Sequence, residues 1–233
     1  MVYRFVDCRW SLDDPGAGRS AYLAGHVPGA AFLDVECDLA GPAGPDGRHP
    51  LPEQDDFTAA ASRAGIGEGV FVIAYGSLGG AERLWWLLRH YGHDECAVLD
   101  LDAWRGPLRG GEEEIQLAAF EPRPRRDDTI ERAELDRRLD ELVVVDARIA
   151  ARWRGAPNPV DRVPGRIPGA LNAPWQEPPP ELRDGELVAY CGSGITACVT
   201  LHRLHLAGRE GRLYAGSWSE WEQYPALPVE RSE

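Results

Sequence analysis

The sequence predicts an α/β protein made of two consecutive copies of one unit, each with a mainly parallel sheet covered by helices on both faces. Three observations point to this fold class: short apolar runs that end in Asp, Gly or Cys, helical stretches between them, and motifs that return in the same order in both halves. Short apolar runs are typical of buried parallel strands. Strands that alternate with helices predict a sheet with helices packed on it.

The first two pairs of repeated motifs lie early in each half. Val-Asp-Cys-Arg at 6–9 returns as Val-Asp-Ala-Arg at 145–148, and Gly-His-Val-Pro-Gly-Ala at 25–30 returns as Gly-Arg-Ile-Pro-Gly-Ala at 165–170. Self-similarity of this kind indicates a tandem duplication.

Two further pairs follow in the same order. Apolar runs end at Tyr75 and Tyr190, and Trp104 and Trp218 come after them. The first half is longer between the second and third pairs, which predicts an insertion at about 34–57.

The clearest strands of the second half are the apolar runs at 143–145, 187–190 and 212–214. Helices are expected at 81–90 and 196–207, closed by Gly92 and Gly208, because glycine is favoured just past a helix C-terminus.

The duplication sets the expected domain boundaries. A chain of 233 residues is long enough for two domains. We expect a supporting domain at 1–115, a linker at 116–128 and a catalytic domain at 129–233. Proline and like charges in the linker resist packing into either core.

Composition excludes several function classes. With 38 acidic and 25 basic residues, the chain carries a formal net charge of −13, which argues against a broad nucleic-acid footprint. All 25 basic residues are arginine, so a lysine Schiff base and a P-loop lysine are excluded.

The same composition predicts a cytoplasmic protein. No apolar run is long enough for a membrane span, and no secretory signal is expected at the N-terminus. Five cysteines without CxxC pairs predict neither a disulfide scaffold nor a metal site, and we expect reduced thiols in the cytoplasm.

One cysteine is placed for chemistry. Cys191 follows the apolar run 187–190 and begins the segment Cys-Gly-Ser-Gly-Ile-Thr-Ala, in which Gly192 and Gly194 allow the loop to curl around the sulfur. Inward-pointing amides and the positive end of the helix at 196–207 would then favour the thiolate, and equally a persulfide anion. The matching position in the first half is Gly76, so only the second copy keeps a thiol.

Together these motifs, with Trp85-Trp86 and the closing Gly-Ser-Trp-Ser-Glu-Trp at 216–221, resemble the tandem-domain rhodanese-type sulfurtransferases over nearly the whole chain. The resemblance implies two doubly wound rhodanese-like domains and an active cysteine in the second. It implies transfer of a sulfane sulfur from 3-mercaptopyruvate or thiosulfate to cyanide or a thiol through a Cys191 persulfide, without a cofactor. The uncharged loop is similar to that of the 3-mercaptopyruvate branch, since thiosulfate-specific members tend to carry basic residues after the cysteine.

The resemblance also assigns three supporting catalytic residues. Ser193 of the loop would act with His49, which lies in Arg-His-Pro-Leu-Pro and matches the family's His-x-Leu-Pro. Glu36 stands in Asp-Val-Glu where the family has Asp-x-Asp, and a carboxylate there would orient the histidine.

Donor binding is assigned in the same way. Arg152 matches the family arginine that binds the donor anion, and a guanidinium suits a carboxylate because it forms two parallel hydrogen bonds. The substrate-binding loop residues are Gly192, Gly194, Ile195 and Thr196. A second family arginine is missing, because Val160 stands in its place. The sequence leaves open whether Arg162 or Arg166 substitutes for it.

A cysteine loop of this kind is compatible with two other functions. A cysteine phosphatase also holds an anion over a cysteine loop, but it requires an arginine six residues after the cysteine, where this chain has Ala197. A non-catalytic rhodanese-like binding or sensor module remains the alternative, although its mark is loss of the cysteine, which holds for Gly76 and not for Cys191. The oligomeric state is not predicted.

Overall fold

The computed structural model describes residues 2–232, which fold into two compact units. The first unit consists of residues 2–41 and 51–125, and the second of residues 42–50 and 126–232. Part of the insertion expected in the first half is therefore packed within the second unit. The domain and linker boundaries expected from the sequence stay a prediction.

The first unit contains one sheet of four parallel strands in the order β2-β1-β3-β4. Its strands are β1 (Val2–Cys8), β2 (Ala31–Phe32), β3 (Val70–Gly76) and β4 (Cys96–Val98). Its helices are α1 (Ala17–Ala24), α2 (Gln54–Arg63), α3 (Gly80–His90) and a short 3₁₀ helix (Leu101–Ala103).

The second unit repeats this arrangement with the strand order β6-β5-β7-β8, again all parallel. Its strands are β5 (Val143–Asp146), β6 (Leu171–Asn172), β7 (Leu187–Tyr190) and β8 (Arg212–Leu213). Its helices are α4 (Arg132–Arg137), α5 (Ala150–Arg154), α6 (Ala197–Leu206) and α7 (Ser217–Trp221). Two parallel four-stranded sheets with flanking helices confirm the predicted α/β class.

The second sheet is buried on both faces. Val144 packs in a core with Leu135 of α4 and Trp218 of α7, while Val143 packs in a separate core with Leu204 of α6. Because side chains alternate along a strand, neighbouring valines of β5 lie on opposite faces. The continuous apolar run that predicted this strand is explained by helices on both sides.

The repeated Asp-x-Arg motif has the same geometry in each unit. Arg148 donates from Nη2 to Asp146 at 2.7 Å and to the carbonyl oxygen of Gly165 at 2.7 Å. Arg9 donates in the same way to Asp7 at 2.5 Å and to the corresponding glycine carbonyl oxygen at 2.7 Å. The motif therefore ties the end of a strand to the start of the Pro-Gly-Ala segment.

The Cys191 loop lies where the strand order of the second sheet reverses. The chain runs from β5 to β6 on one side and then to β7 on the other, so the order reverses between β5 and β7. Ligands of open α/β sheets bind outside the carboxyl ends of strands at such a point. Cys191 follows β7 directly and lies at this edge.

The expected helices are also present. The stretch at 81–90 forms α3, and the stretch at 196–207 forms α6, with Gly92 and Gly208 at positive φ just past them. Helix α2 lies in the longer connection between β2 and β3, where the described part of the second unit has no helix between β6 and β7. None of the helices in residues 2–232 is both long and apolar enough to cross a membrane.

Candidate active site

The Cys191 loop connects the carboxyl end of β7 to the start of α6. Gly194 adopts φ +84°, and a Cβ there would lie 2.4 Å from the carbonyl oxygen of Ala215, so only glycine fits. The N–H of Gly194 donates to Cys191 Sγ at 3.1 Å. This amide is therefore an inward-facing donor of the kind that contacts bound anions. Cys191 itself is buried, with 2% of its surface exposed.

The loop is fixed by the first turn of α7. The N–H of Cys191 donates to Ser217 Oγ at 3.1 Å, and the carbonyl oxygens of Cys191 and Gly192 accept the N–H groups of Trp218 and Ser219, both at 3.0 Å. These three bonds hold the start of the loop against α7 within the second unit.

Two arginine side chains converge on Gly192, the residue after the cysteine. A Cβ on Gly192 would lie 2.9 Å from Nη2 of Arg152 and 3.1 Å from Nη2 of Arg48. Both guanidinium groups therefore lie over the loop, and glycine leaves the space that they share. Sequence reasoning predicted Arg152 here and missed Arg48.

Arg152 is held by Asp161. Its Nε donates to Asp161 Oδ2 at 2.8 Å, and its Nη2 pairs with the other carboxylate oxygen. Arg148 also reaches Asp161 Oδ2, at 3.3 Å, and Asn158 donates to the same oxygen at 2.9 Å. Despite burial, these donors hold the pKa of Asp161 below its ordinary value, so the carboxylate stays charged.

Arg48 is held by a serine hydroxyl at its backbone and by a backbone carbonyl at its guanidinium. Its own N–H donates to Ser219 Oγ at 3.0 Å, and its Nη1 donates to the carbonyl oxygen of Val160 at 3.1 Å. Its Nε is buried and has no hydrogen-bond partner among residues 2–232. Burial, and after it the positive charge of Arg152, lowers the pKa of Arg48 from its ordinary value.

His49 and Ser193 are in direct contact. His49 Nδ1 lies 2.7 Å from Ser193 Oγ, and both side chains are buried. Which atom donates depends on the tautomer of the histidine. The contact is the one that the family resemblance implies, and its role in proton transfer stays a prediction.

The remaining predicted residues have different positions. Ile195 is buried, and Thr196 is half-buried at the residue before α6. Glu36 is half-buried in the first unit, in the turn after β2, where its N–H donates to Asp34 Oδ1 at 2.8 Å. Its role beside His49 stays a prediction.

Neither arginine left open as the missing second one reaches Gly192 in the contacts described here. Arg166 is buried, pairs with Glu230, donates to Ser232 Oγ at 2.9 Å and stacks over Trp153. Arg162 is exposed and lines a cleft of about 460 Å³ together with Arg48.

The equivalent position in the first unit has no room for a thiol. A Cβ on Gly76 would lie 2.7 Å from the carbonyl oxygen of Cys8 and 3.0 Å from the N–H nitrogen of Ala81. The first copy has therefore lost the sulfur and the space for it.

The second unit thus brings together the Cys191 thiol, two guanidinium groups over the following glycine, and the His49–Ser193 pair. Within residues 2–232 no group of three His, Cys, Asp or Glu side chains is placed to hold a metal ion. Arg48, Asp161, Ser217 and Ser219 were missed by sequence reasoning. The sequence held one signal for Arg48, which directly precedes the predicted site residue His49 in the same motif.

Comparison with known proteins agrees with this description. The rhodanese-like domain family matches residues 2–105 and 131–224. A probable 3-mercaptopyruvate sulfurtransferase of Pseudomonas aeruginosa is 39% identical over 96% of this chain and 90% of its own length. A Mycobacterium tuberculosis protein, named provisionally as the thiosulfate sulfurtransferase SseB, is 36% identical over 97% of this chain and 90% of its own length.

Among solved structures, the chain is similar to SseA from Escherichia coli, described as showing the rhodanese fold and catalytic mechanism of 3-mercaptopyruvate sulfurtransferases. The TM-score is 0.80 with 29% sequence identity, covering 94% of this chain and 93% of that one. The likeness therefore extends over both units.

Proposed function

Since the chain belongs to the tandem-domain rhodanese-type sulfurtransferases, the family of the 3-mercaptopyruvate and thiosulfate enzymes, we propose that it takes sulfur from 3-mercaptopyruvate and carries it as a persulfide on Cys191. Sulfurtransferase activity itself follows from this membership. The donor and the roles of individual residues are the proposal.

The observation that carries the proposal is the position of the Cys191 sulfur. It accepts the N–H of Gly194 at 3.1 Å, next to the loop residue over which Arg48 and Arg152 converge. The outer sulfur of a persulfide formed at this place would carry its negative charge beside an amide donor and two cations.

In the donor step, the Cys191 thiolate attacks the sulfur of 3-mercaptopyruvate. The new S–S bond forms as the C–S bond breaks, and the bonding electrons leave with the carbon as the pyruvate enolate. The thiol proton that came with the donor remains on the persulfide and must pass to the enolate carbon. Ser193 and His49, at 2.7 Å, are the relay that moves it. The products are Cys191–S–S⁻ and pyruvate.

In the acceptor step, a nucleophile such as cyanide or a thiolate attacks the outer sulfur. The S–S bond breaks and its electrons return to Cys191 as thiolate, releasing thiocyanate or an acceptor persulfide. No metal or organic cofactor takes part in this balance. Glu36 completes the proposed relay by orienting His49, as the family resemblance implies.

The negative charges near the loop favour a carboxylate donor over thiosulfate. Asp161 pairs with Arg152 and Asp146 with Arg148, and the Cys191 thiolate and Glu222 also act on Arg48. Mercaptopyruvate brings one negative charge to this place, whereas thiosulfate brings two beside the thiolate.

The protein's five cysteines are free thiols. They fit a reducing setting, and we propose that the protein works in the cytoplasm on a small anionic sulfur donor with a thiol or cyanide as acceptor.

Donor treatment followed by mass spectrometry tests the proposal. 3-Mercaptopyruvate should add the mass of one sulfur atom to the peptide that contains Cys191, and thiocyanate should form when cyanide is added. Cys191→Ser should turn over nothing, while Cys37→Ser, which removes an exposed thiol in the first unit, should keep full activity.

Different results would contradict the persulfide assignment and the donor assignment. If the added sulfur is found on another cysteine, the persulfide assignment is wrong. If thiosulfate gives a higher kcat/KM than mercaptopyruvate, the donor is wrong while the Cys191 chemistry stands.

A further inference from the structure

We propose that Arg48 is the second donor-binding arginine of this enzyme, and that it binds the carboxylate of the sulfur donor together with Arg152. The inference deepens the proposed function and depends on it for the identity of the donor. It replaces the two possibilities that the sequence left open, Arg162 and Arg166.

The first argument is convergence. The terminal nitrogens of Arg152 and Arg48 lie 2.9 Å and 3.1 Å from one point, the position of a Cβ on Gly192. Two guanidinium groups that approach the same side of a loop present several N–H donors to one anion. The loop residue there is glycine, so no side chain of the protein occupies the point.

The second argument is charge. Arg152 is already paired with Asp161, whereas Arg48 forms no direct ion pair with a carboxylate among residues 2–232 and leaves its buried Nε without an acceptor. Asp161, Glu222 and Cys191 act on it only as nearby negative charges. A half-buried cation without a directly bonded anion gains from a ligand that supplies one. The lowered pKa of Arg48, caused by burial and by Arg152, expresses the cost of its charge at this place.

The third argument is how the side chain is aimed. Its Nη1 is held by the carbonyl oxygen of Val160, the residue that stands where the family resemblance leads us to expect an arginine. Position 160, which lacks the expected arginine, thus supports through its backbone carbonyl the guanidinium of Arg48, which comes from another segment of the chain.

The backbone of Arg48 is also fixed to the loop. Its N–H donates to Ser219 Oγ, and the N–H of Ser219 donates to the carbonyl oxygen of Gly192. The preceding Gly47 has φ +106°, and a Cβ there would lie 2.7 Å from the carbonyl oxygen of Gly216. Only glycine lets this segment come so close to the start of α7.

The test measures donor kinetics and carboxylate binding separately. Arg48→Met keeps the length of the side chain and removes its charge, and Arg48→Lys restores the charge without the two-pronged geometry. Arg137→Met, at an exposed arginine at the end of α4, is the matched control. Steady-state assays use 3-mercaptopyruvate with cyanide, and inhibition by pyruvate is measured with thiosulfate as the donor. Pyruvate retains the carboxylate and lacks the sulfur.

We expect Arg48→Met to raise the KM for mercaptopyruvate, and the inhibition constant for pyruvate, by about tenfold or more, with kcat changed by less than about threefold. Arg48→Lys should recover part of the loss, and Arg137→Met should match the wild type. Loading of Cys191 by inorganic polysulfide, which has no carboxylate, should fall by less than about threefold in Arg48→Met, since only the general effect of the lost positive charge remains.

Three results would overturn the assignment: pyruvate inhibition that is unchanged in Arg48→Met, an equal loss of polysulfide loading, or the same KM increase in Arg162→Met instead. Because pyruvate inhibition is read with thiosulfate, the Arg48 assignment is tested even if mercaptopyruvate proves not to be the donor. If mercaptopyruvate is not the donor, the wild-type enzyme will show this by its own low kcat/KM for mercaptopyruvate, without any variant.

Discussion

Asp161→Asn gives the sharpest test of how the donor site is ordered. The substitution keeps the shape of the side chain and removes the charge that pairs with Arg152 and Arg148. Arg148 keeps its bonds to Asp146, at 2.7 Å and 3.0 Å, so it is not left uncompensated. Arg152 loses its only carboxylate partner in the described contacts.

The expected loss of stability lies between two known limits. Exposed ion pairs contribute up to about 1 kcal/mol, and removing one partner of a fully buried pair costs about 3–5 kcal/mol. The Asp161 side chain is 1% exposed and that of Arg152 is 19% exposed. We therefore expect a decrease of about 2 kcal/mol in the free energy of unfolding, measured by urea titration near neutral pH.

The effect should disappear in acid. The pKa of Asp161 is lowered in the folded state, so its charge stabilises the fold above the unfolded pKa of about 3.9, and that contribution is lost as the pH falls through the lower folded value. Wild type and Asp161→Asn should differ at pH 7 and converge well below pH 4.

Asp140→Asn, at an exposed carboxylate, is the matched control and should be neutral. Asp161→Asn should also raise the KM for the donor about tenfold, because Asp161 no longer holds the Arg152 guanidinium in place over the loop. If stability and KM both stay at wild-type values, Asp161 is not what orders Arg152, and the reasoning is refuted.

Two further predictions concern the loop and the relay. Gly194→Ala should abolish turnover and lower the free energy of unfolding by about 2 kcal/mol or more, because the new Cβ meets the Ala215 carbonyl oxygen at 2.4 Å in addition to the positive φ. Gly169→Ala, at φ +74° with open space around it, should lose only about 1 kcal/mol, and an equal loss in both variants would contradict the steric argument. His49→Ala should lower kcat with mercaptopyruvate about 100-fold and change kcat with thiosulfate by less than about threefold, because sulfite leaves without needing a proton. A similar loss with both donors would show that His49 acts on the loop rather than on the enolate.

Much of the fold was readable from local patterns. The run at 187–190 forms β7 over the same residues, and the helix expected at 196–207 is α6. These elements follow from chain properties that act over a few residues: apolar side chains that must be buried, and glycines that end helices. The repeated Asp-x-Arg motif was visible for the same reason, since its two residues are neighbours in the chain.

The Cys191 loop was also readable because its chemistry is contiguous. Cysteine and two glycines within four residues fix a strand-to-helix turn, and the N–H of Gly194 on the sulfur is a local contact. His49 and Ser193 were paired only through the family resemblance, and the structure places them 2.7 Å apart within the second unit.

The sequence by itself determined the duplication, the parallel sheets and the one copy that keeps a thiol, because each is read from short contiguous motifs. Tertiary structure alone decided which of the other arginines lies beside Arg152 over Gly192. Arg48 is 144 positions from that glycine and reaches it only because residues 42–50 pack within the second unit. The sequence does not show whether an arginine forms an ion pair, as Arg152 does with Asp161, or forms none, as with Arg48. Packing in three dimensions decides this.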